Sequence, residues 1–514
     1  MKTWTRANIV GLAAVIAVSL SVRGAWVAVV HALPVSDFLF YYLGGASIAA
    51  GHGYSILGHP TSFFPIGYPA FLALLFTLFG TSLTVVRVSG VLLWTLSAGL
   101  AYLLGLRLGR GLAPALIGGL IVALYPDFVM LTGLAASENL MVPLLLGVSL
   151  LLSYTAPGRI SVRTAALAGV FLGASLLVRS TAILFVPLVA LVIVVAGRDR
   201  RRALAAIALL ATCAAVVLPW VVRNWVVMGT ADISTNGGYT LFLGLNSRAT
   251  GGTGVRGYHH AWPIQSVRSE VTANSELTHR ALDWALHHPL GVVRLMPKKT
   301  YFLFHWTPEQ LLSNFRAQPG GVTGAIVQRS LTGSERALFR WLAAEEGVFA
   351  WIQYVFLVAA SAGLVLASLR KLPAALWVAL TFAYWIVFHV TLIHGQARFL
   401  KSVTPLLAPF AGYALVAAAT WLVFTLRRPT PSLRGAAAGA AGEVVTTATP
   451  DEPLSGSDGL PSGVGGRPDA ADGLLGDVGS TPEGARGAPD GAGSPAGSPS
   501  SSAGSPSGGG GADR

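Results

Sequence analysis

Ten apolar runs, most of them about as long as a bilayer is thick, decide what this chain can fold into. They fall at roughly 8–32, 87–107, 112–131, 137–155, 163–178, 181–197, 203–222, 347–369, 372–393 and 401–426. A spanning helix needs about 20 mostly apolar residues, because inside the hydrocarbon its backbone must satisfy its own hydrogen bonds. Two further apolar stretches, 66–80 and 290–306, are shorter and read as juxtamembrane or re-entrant helices. Charged residues make up 11% of the chain, too few to coat a soluble domain, which carries about 25%. The pattern predicts an all-α polytopic membrane protein with about ten transmembrane helices, juxtamembrane helices and a long outer loop.

Charge at the ends of the runs sets the topology. With the N-terminus inside, the cytoplasmic turns carry Arg107 and Arg110, Arg159 and Arg163, then Arg198 with Arg200, Arg201 and Arg202. Arg370 with Lys371 and Arg427 with Arg428 follow, so every inner turn is basic, as cytoplasmic turns are. The first run follows Lys2 and Arg6 like a signal peptide, but no small-residue cleavage site precedes Arg23. It reads as an uncleaved first helix. The expected location is the plasma membrane, with both termini cytoplasmic and large outer loops at about 33–86 and 223–346. The transmembrane domain spans 1–426. Residues 427–514 are rich in Gly, Pro, Ser and Ala, a composition that buries no core, and are expected to form a disordered cytoplasmic tail.

The net charge of +13 divides unevenly. The tail holds six basic and ten acidic residues, which leaves 29 basic and 12 acidic residues in the body. The excess sits at run ends and in one loop rather than in a basic helix or an aromatic-basic groove. Anionic membrane lipid is therefore the expected partner and nucleic acid is not. The single cysteine, Cys213, lies in an apolar run, which rules out an intrachain disulfide and a cysteine metal site.

The body's carboxylates cluster on one side. Asp199 belongs to a cytoplasmic turn, whereas Asp37, Asp127, Glu138, Asp232, Glu270, Glu276, Asp283, Glu309, Glu335, Glu345 and Glu346 fall on or near the outer side. None lies mid-span, where ion-coupled transporters keep theirs, so chemistry at the outer surface gains weight. Asp37 follows the first run directly, in Pro34-Val35-Ser36-Asp37-Phe38-Leu39-Phe40-Tyr41-Tyr42. A helix beginning at Ser36 puts Asp37 and Tyr41 on one face at i, i+4 and holds the carboxylate at headgroup level. The bland alternative is an acid that only complements a helix N-terminus.

Other groups are suggestive one by one. Arg223 ends a run and leads into Ser234-Thr235-Asn236-Gly237-Gly238, a combination suited to phosphate and sugar hydroxyls or to ordinary interfacial anchoring. Lys298 and Lys299 interrupt an aromatic stretch and either hold a lipid phosphate or snorkel. Arg398 is a cation on the outer side, against the charge trend, which points to a specific anion. His52 and His59 have no recognised ligand spacing, so no metal is expected, and no other cofactor. No phosphate loop with its lysine, no His-Glu-x-x-His and no Gly-x-Ser-x-Gly appears, which removes the usual groups of ATP-driven transport and metalloproteolysis.

Taken in order, these pieces resemble the GT-C superfamily of membrane glycosyltransferases, in the protein mannosyltransferase and aminoarabinose transferase group (glycosyltransferase family 39 and relatives). The resemblance runs over about 1–426. It rests on Asp37 with Tyr41 or Tyr42, Gly51 to Tyr54, Pro65-Ile66-Gly67-Tyr68-Pro69, Ser137-Glu138, Pro219-Trp220 with Arg223-Asn224, Ser234 to Gly238, and His394 to Phe399. Departures are Ile66 for a second proline, Leu245 for an asparagine, Val403 for a proline, and no Glu beside Asp37.

The resemblance implies a donor in which a sugar is linked to polyprenyl monophosphate, and a lipid, glycan or protein acceptor. It implies that Asp37 is the general base and that Arg398, with Arg223 and Lys298 or Lys299, holds the leaving phosphate. Tyr41, Tyr68, Glu138 and Asn236 are placed at the substrate. One base and one leaving group imply single displacement with inversion, by analogy with glycosidases. Two rivals make different predictions. A lipid or polysaccharide flippase predicts flux without transfer, and a scaffold predicts that loss of 427–514 destroys function while Asp37→Asn does nothing.

Overall fold

The computed structural model describes residues 5–109, 111–196, 199–256, 266–305 and 332–426, and it is almost entirely helical. The first part comprises α1 (Arg6–Val29), α2 (Asp37–Ala49), a two-residue hairpin pairing Ser55–Ile56 with His59–Pro60, α3 (Gly67–Phe79), α4 (Leu83–Leu106) and α5 (Leu112–Leu124). Next come α6 (Pro126–Leu131), α7 (Glu138–Ser153), α8 (Val162–Val178), α9 (Phe185–Val195) and α10 (Arg200–Met228). The remainder is α11 (Gly237–Gly244), α12 (Val267–His287), α13 (Pro289–Phe304), α14 (Gly333–Ala344), α15 (Glu346–Leu369), α16 (Pro373–Thr391), α17 (Ala397–Lys401) and α18 (Ala408–Leu426). These helices belong to one compact unit, Met1–Thr430. The tail expected over 427–514, and Glu309, lie outside the described residues.

Among the described residues, six helical segments are long and apolar enough to cross a membrane: α1, α4, α10, α15, α16 and Thr404–Leu426. The other four predicted runs coincide with shorter apolar helices, α5, α7, α8 and α9 with its preceding turn. Two of them have an identifiable reason to be short. α5 stops at Tyr125 because Pro126 starts a new helix, and α9 is separated from α8 by the turn Ser180–Ala182. The two stretches read as too short to span form α3 and α13. Residues 13 long at about 1.5 Å per residue make α3 about 20 Å, less than the roughly 30 Å hydrocarbon layer.

The bundle closes between its first and last parts. α1 packs on α4 and α5, α5 on α18, and α18 on α15. The contacts are close because small residues face backbone. A Cβ on Gly363 would lie 1.8 Å from the Phe410 carbonyl oxygen, and one on Gly118 would lie 2.6 Å from Pro409 Cα, the small-residue packing that lets membrane helices approach.

A cation is buried in this part of the bundle: Arg23, in the last third of α1, is fully buried. Its Nη2 donates to the Val122 carbonyl at 2.5 Å, and its Nη1 donates to the Phe128 carbonyl at 2.8 Å and to Thr132 Oγ1 at 2.9 Å. The ends of α5 and α6 leave carbonyls that a continuous helix would use, and Arg23 donates to one from each.

Candidate active site

Four charged side chains from four separate segments meet near the start of α2. Asp37 is the first residue of α2, Glu138 the first of α7, Arg179 follows α8, and Arg398 lies in α17. Arg398 donates through Nε and Nη2 to the two carboxylate oxygens of Glu138, the second at 2.9 Å, and through Nη1 to Asp37 Oδ2. Arg179 reaches Glu138 Oε1 at 3.3 Å with Nη2 and donates Nη1 to Ser402 Oγ at 3.0 Å. The aromatic rings of Phe38 and Phe399 cover the two guanidiniums, at 4.4 Å from Arg398 and 5.2 Å from Arg179. Two carboxylates against two guanidiniums leave the cluster neutral, which makes its burial tolerable. Burial opposes the charge on Arg398, but Asp37 and Glu138 outweigh it and hold the guanidinium firmly protonated.

Local structure aims these groups. Ser36 precedes Asp37 with φ +53°, a left-handed conformation for a non-glycine residue, and its side chain makes no capping bond. Strain of this kind collects at functional sites. Tyr41 stands one turn on, as the i, i+4 spacing required, and its ring meets Tyr68 edge-on at 5.6 Å and Phe64 at 5.1 Å. Burial, and then the charge on Asp37, push the Tyr41 phenol up to about 12, so it is a neutral donor at physiological pH. Burial likewise raises Tyr68.

The Pro65-Ile66-Gly67-Tyr68-Pro69 turn has a clear local purpose. A Cβ on Gly67 would lie 2.6 Å from the carbonyl of Leu177 and 2.7 Å from Val178 N. The start of α3 therefore presses directly on the chain leading to Arg179. The segment carrying Arg398 is clamped in a similar way. Gly395 N donates to the Gly251 carbonyl at 2.8 Å, and a Cβ on Gly395 would lie 2.0 Å from the Lys299 carbonyl oxygen. Trp385 Nε1 donates to the Phe399 carbonyl at 2.8 Å. The same short helix makes a second buried ion pair, Lys401 to Asp127 at 3.2 Å.

Asp37, Glu138, Arg398, Tyr41 and Tyr68 thus come together. The other sequence-derived candidates are engaged with their own surroundings. Arg223 donates to the carbonyls of Thr61 at 2.9 Å and Tyr54 at 3.2 Å and lies over Trp220. Lys299 is fully buried and donates to the Thr391 carbonyl at 3.0 Å, at the C-terminal end of α16, while Lys298 is exposed. Asn236 stands at the N-cap position of α11 without a side-chain capping bond, and it accepts from Ser234 Oγ at 3.2 Å. These positions tie Arg223 to the first outer loop and Lys299 to the segment leading to Arg398.

Three residues outside the sequence candidates matter to the site. Arg179 looked like a terminal residue of an apolar run, and only its partners reveal it. Glu270 is buried and accepts from Thr61 Oγ1 at 2.7 Å, from Ser62 N at 2.9 Å and from Thr235 Oγ1, joining the first outer loop to the Ser234–Gly238 segment. Lys401 was hidden as the edge of the last run. Among the described residues, no three His, Cys, Asp or Glu side chains converge as a metal site.

Residues 64–225 match the family model described as dolichyl-phosphate-mannose-protein mannosyltransferase. The chain resembles the GT-C membrane glycosyltransferases. Among solved structures, the apo oligosaccharyltransferase of Archaeoglobus fulgidus is 14% identical, with 86% of this chain and 53% of that chain covered and a TM-score of 0.45. AglB of the same organism, in complex with an inhibitory peptide and a dolichol-phosphate, is 16% identical, with 86% and 52% covered and a TM-score of 0.43. ArnT from Cupriavidus metallidurans bound to undecaprenyl phosphate is 13% identical, with 82% and 81% covered and a TM-score of 0.36. The chain spans about half the length of the archaeal structures it matches. No curated protein matches its sequence.

Proposed function

We propose that this protein is an integral membrane glycosyltransferase that moves a sugar from a polyprenyl-monophosphate donor to an acceptor hydroxyl at the outer face of the plasma membrane, with inversion. The observation that carries this reading is the pairing of Asp37 with Arg398 at the most open end of a buried charge cluster. The Asp37 side chain is 21% exposed, against 3% for Arg398. A base for the acceptor and a cation for the leaving phosphate are thereby adjacent. The family match over residues 64–225 supports the same chemistry.

In this mechanism the acceptor O–H proton passes to the Asp37 carboxylate as the oxygen attacks the anomeric carbon. The bond from that carbon to the phosphate oxygen breaks, and its electron pair leaves with polyprenyl phosphate. Charge grows on that phosphate in the transition state, where a fixed guanidinium is most valuable. Arg398 supplies it, anchored by Glu138. The other carboxylate of the cluster, Glu138, is fully buried and occupied by two arginines, so a single inverting displacement is expected by analogy with glycosidases. Tyr41 and Tyr68 line the carboxylate's side of the site.

The test is a transfer assay with purified protein, membrane-extracted lipid-linked sugars and a crude envelope fraction, reading the release of polyprenyl phosphate. Release that tracks sugar incorporation supports the proposal. Incorporation without release, or lipid translocation without either, contradicts it.

A further inference from the structure

Asp37, Arg398, Glu138 and Arg179 form a row of alternating charge, and Asp37 is its most exposed member. The side chains are 21% exposed at Asp37, 3% at Arg398, 0% at Glu138 and 11% at Arg179. Arg398 commits Nε and Nη2 to Glu138 and Nη1 to Asp37. An anion entering from the open corner therefore meets Asp37 first, and it reaches the guanidinium at the edge that Asp37 now holds. Glu138 does not depend on that edge. It keeps two bonds from Arg398 and the charge of Arg179, which Ser402 and Phe399 fix in place.

We propose that the donor's phosphate binds by displacing Asp37 from Nη1 of Arg398, and that Arg179 is a positioning residue that keeps Glu138 neutralised during the exchange. This rests on the reading of Asp37 as base and of the polyprenyl phosphate as leaving group. The exchange couples donor binding to release of the base. While Arg398 Nη1 donates to Asp37 Oδ2, that oxygen is engaged. Once the guanidinium edge turns to the phosphate, the oxygen is free to take the acceptor's proton. After transfer, Asp37 gives its proton to water, competes again for Arg398 and helps expel the product phosphate.

Direct binding of undecaprenyl monophosphate to the purified full-length protein in nanodiscs of neutral lipid tests this. Asp37→Asn keeps the side-chain shape and removes the competing charge, so its affinity should rise by at least about threefold, the scale of losing a partly exposed ion pair. The gain should vanish in Asp37→Asn combined with Arg398→Gln. Arg179→Gln should weaken binding, and Arg179→Lys, which restores the charge beside Glu138, should recover it. Unfolding midpoints verify that each variant is folded, and the Asp37→Asn comparison stands alone if an arginine variant is not. Unchanged or weaker binding by Asp37→Asn overturns the exchange, as does a gain that persists without Arg398. Wild-type binding by Arg179→Gln overturns the role given to Arg179. These outcomes are separate from the base assignment, which fails only if Asp37→Asn still transfers sugar.

Discussion

Glu138 receives both Nε and Nη2 of Arg398, a residue 260 positions further along the chain. This contact binds the start of α7 to the short helix α17 and fixes the guanidinium in one orientation, so that its remaining edge faces Asp37. A bidentate arginine–carboxylate pair has the geometric specificity for that task.

Removal of Glu138 should therefore be felt in stability as well as in turnover. Glu138→Ala leaves two guanidiniums facing each other without their shared anion, and loss of one partner of a buried pair costs about 3–5 kcal/mol. Thermal unfolding in detergent should show a clearly lower midpoint. An unchanged midpoint would mean that the two arginines find other partners at no cost.

Gly67→Ala tests how α3 supports the site. The added methyl meets the Leu177 and Val178 backbone, and overpacking of this kind costs about 1–3 kcal/mol. Relief requires α3 or the end of α8 to move, and the latter carries Arg179. Transfer should fall together with stability. A variant with normal stability and normal transfer would show that the contact is loose.

How much of this was legible in the sequence depended on whether a signal was local. The apolar runs place the described helices because hydrophobicity along one segment is a local property. Asp37 and Arg398 stood out because each was a charge in an unexpected place. Glu138 was visible as an acid opening a helix, but its bond to Arg398 depends on bundle closure, which a single sequence does not encode locally. Arg179 looked like the end of an apolar run. Arg23 did carry a signal, since a cation inside a span is rare and usually partnered. Its partners are carbonyls at a helix break that the continuous run 112–131 concealed. Lys298 and Lys299 read as phosphate ligands or as snorkelling side chains, with snorkelling favoured for at least one of them, and in the structure Lys299 donates to the Thr391 carbonyl at the end of α16.

Lys299 provides a pH test. Burial lowers its ammonium from the ordinary 10.5 to about 8. Between those values the unfolded chain binds a proton that the folded chain does not, so this group makes stability rise with pH across that window. Below about pH 8 the buried charge is a cost. Thermal midpoints of wild type and Lys299→Met measured at pH 7 and pH 9.5 should differ in slope, with the wild type gaining relative to the variant as pH rises. Parallel curves would show that the ammonium is not desolvated as its burial implies.

Glu270 should control the junction of the two outer loops. Glu270→Ala strands the Ser62 N–H and the hydroxyls of Thr61 and Thr235, and a buried donor left without its acceptor costs about 1–3 kcal/mol. Hydrogen exchange at Ser62 should accelerate, with a smaller effect for Glu270→Gln, which keeps an acceptor oxygen. Unchanged protection at Ser62 would remove Glu270 from this role.

The account as a whole stands on Asp37 as the base of a transfer reaction at the membrane surface. The most direct test deletes the gene, profiles envelope glycans and polyprenyl-phosphate sugars by mass spectrometry, and complements with wild type or Asp37→Asn. General-base help is worth about 10²–10⁴-fold. The deletion should cost one glycan a sugar and raise its lipid-linked donor, and only the wild-type gene should reverse both changes. Full complementation by Asp37→Asn, or a deletion that alters no glycan, would contradict the account.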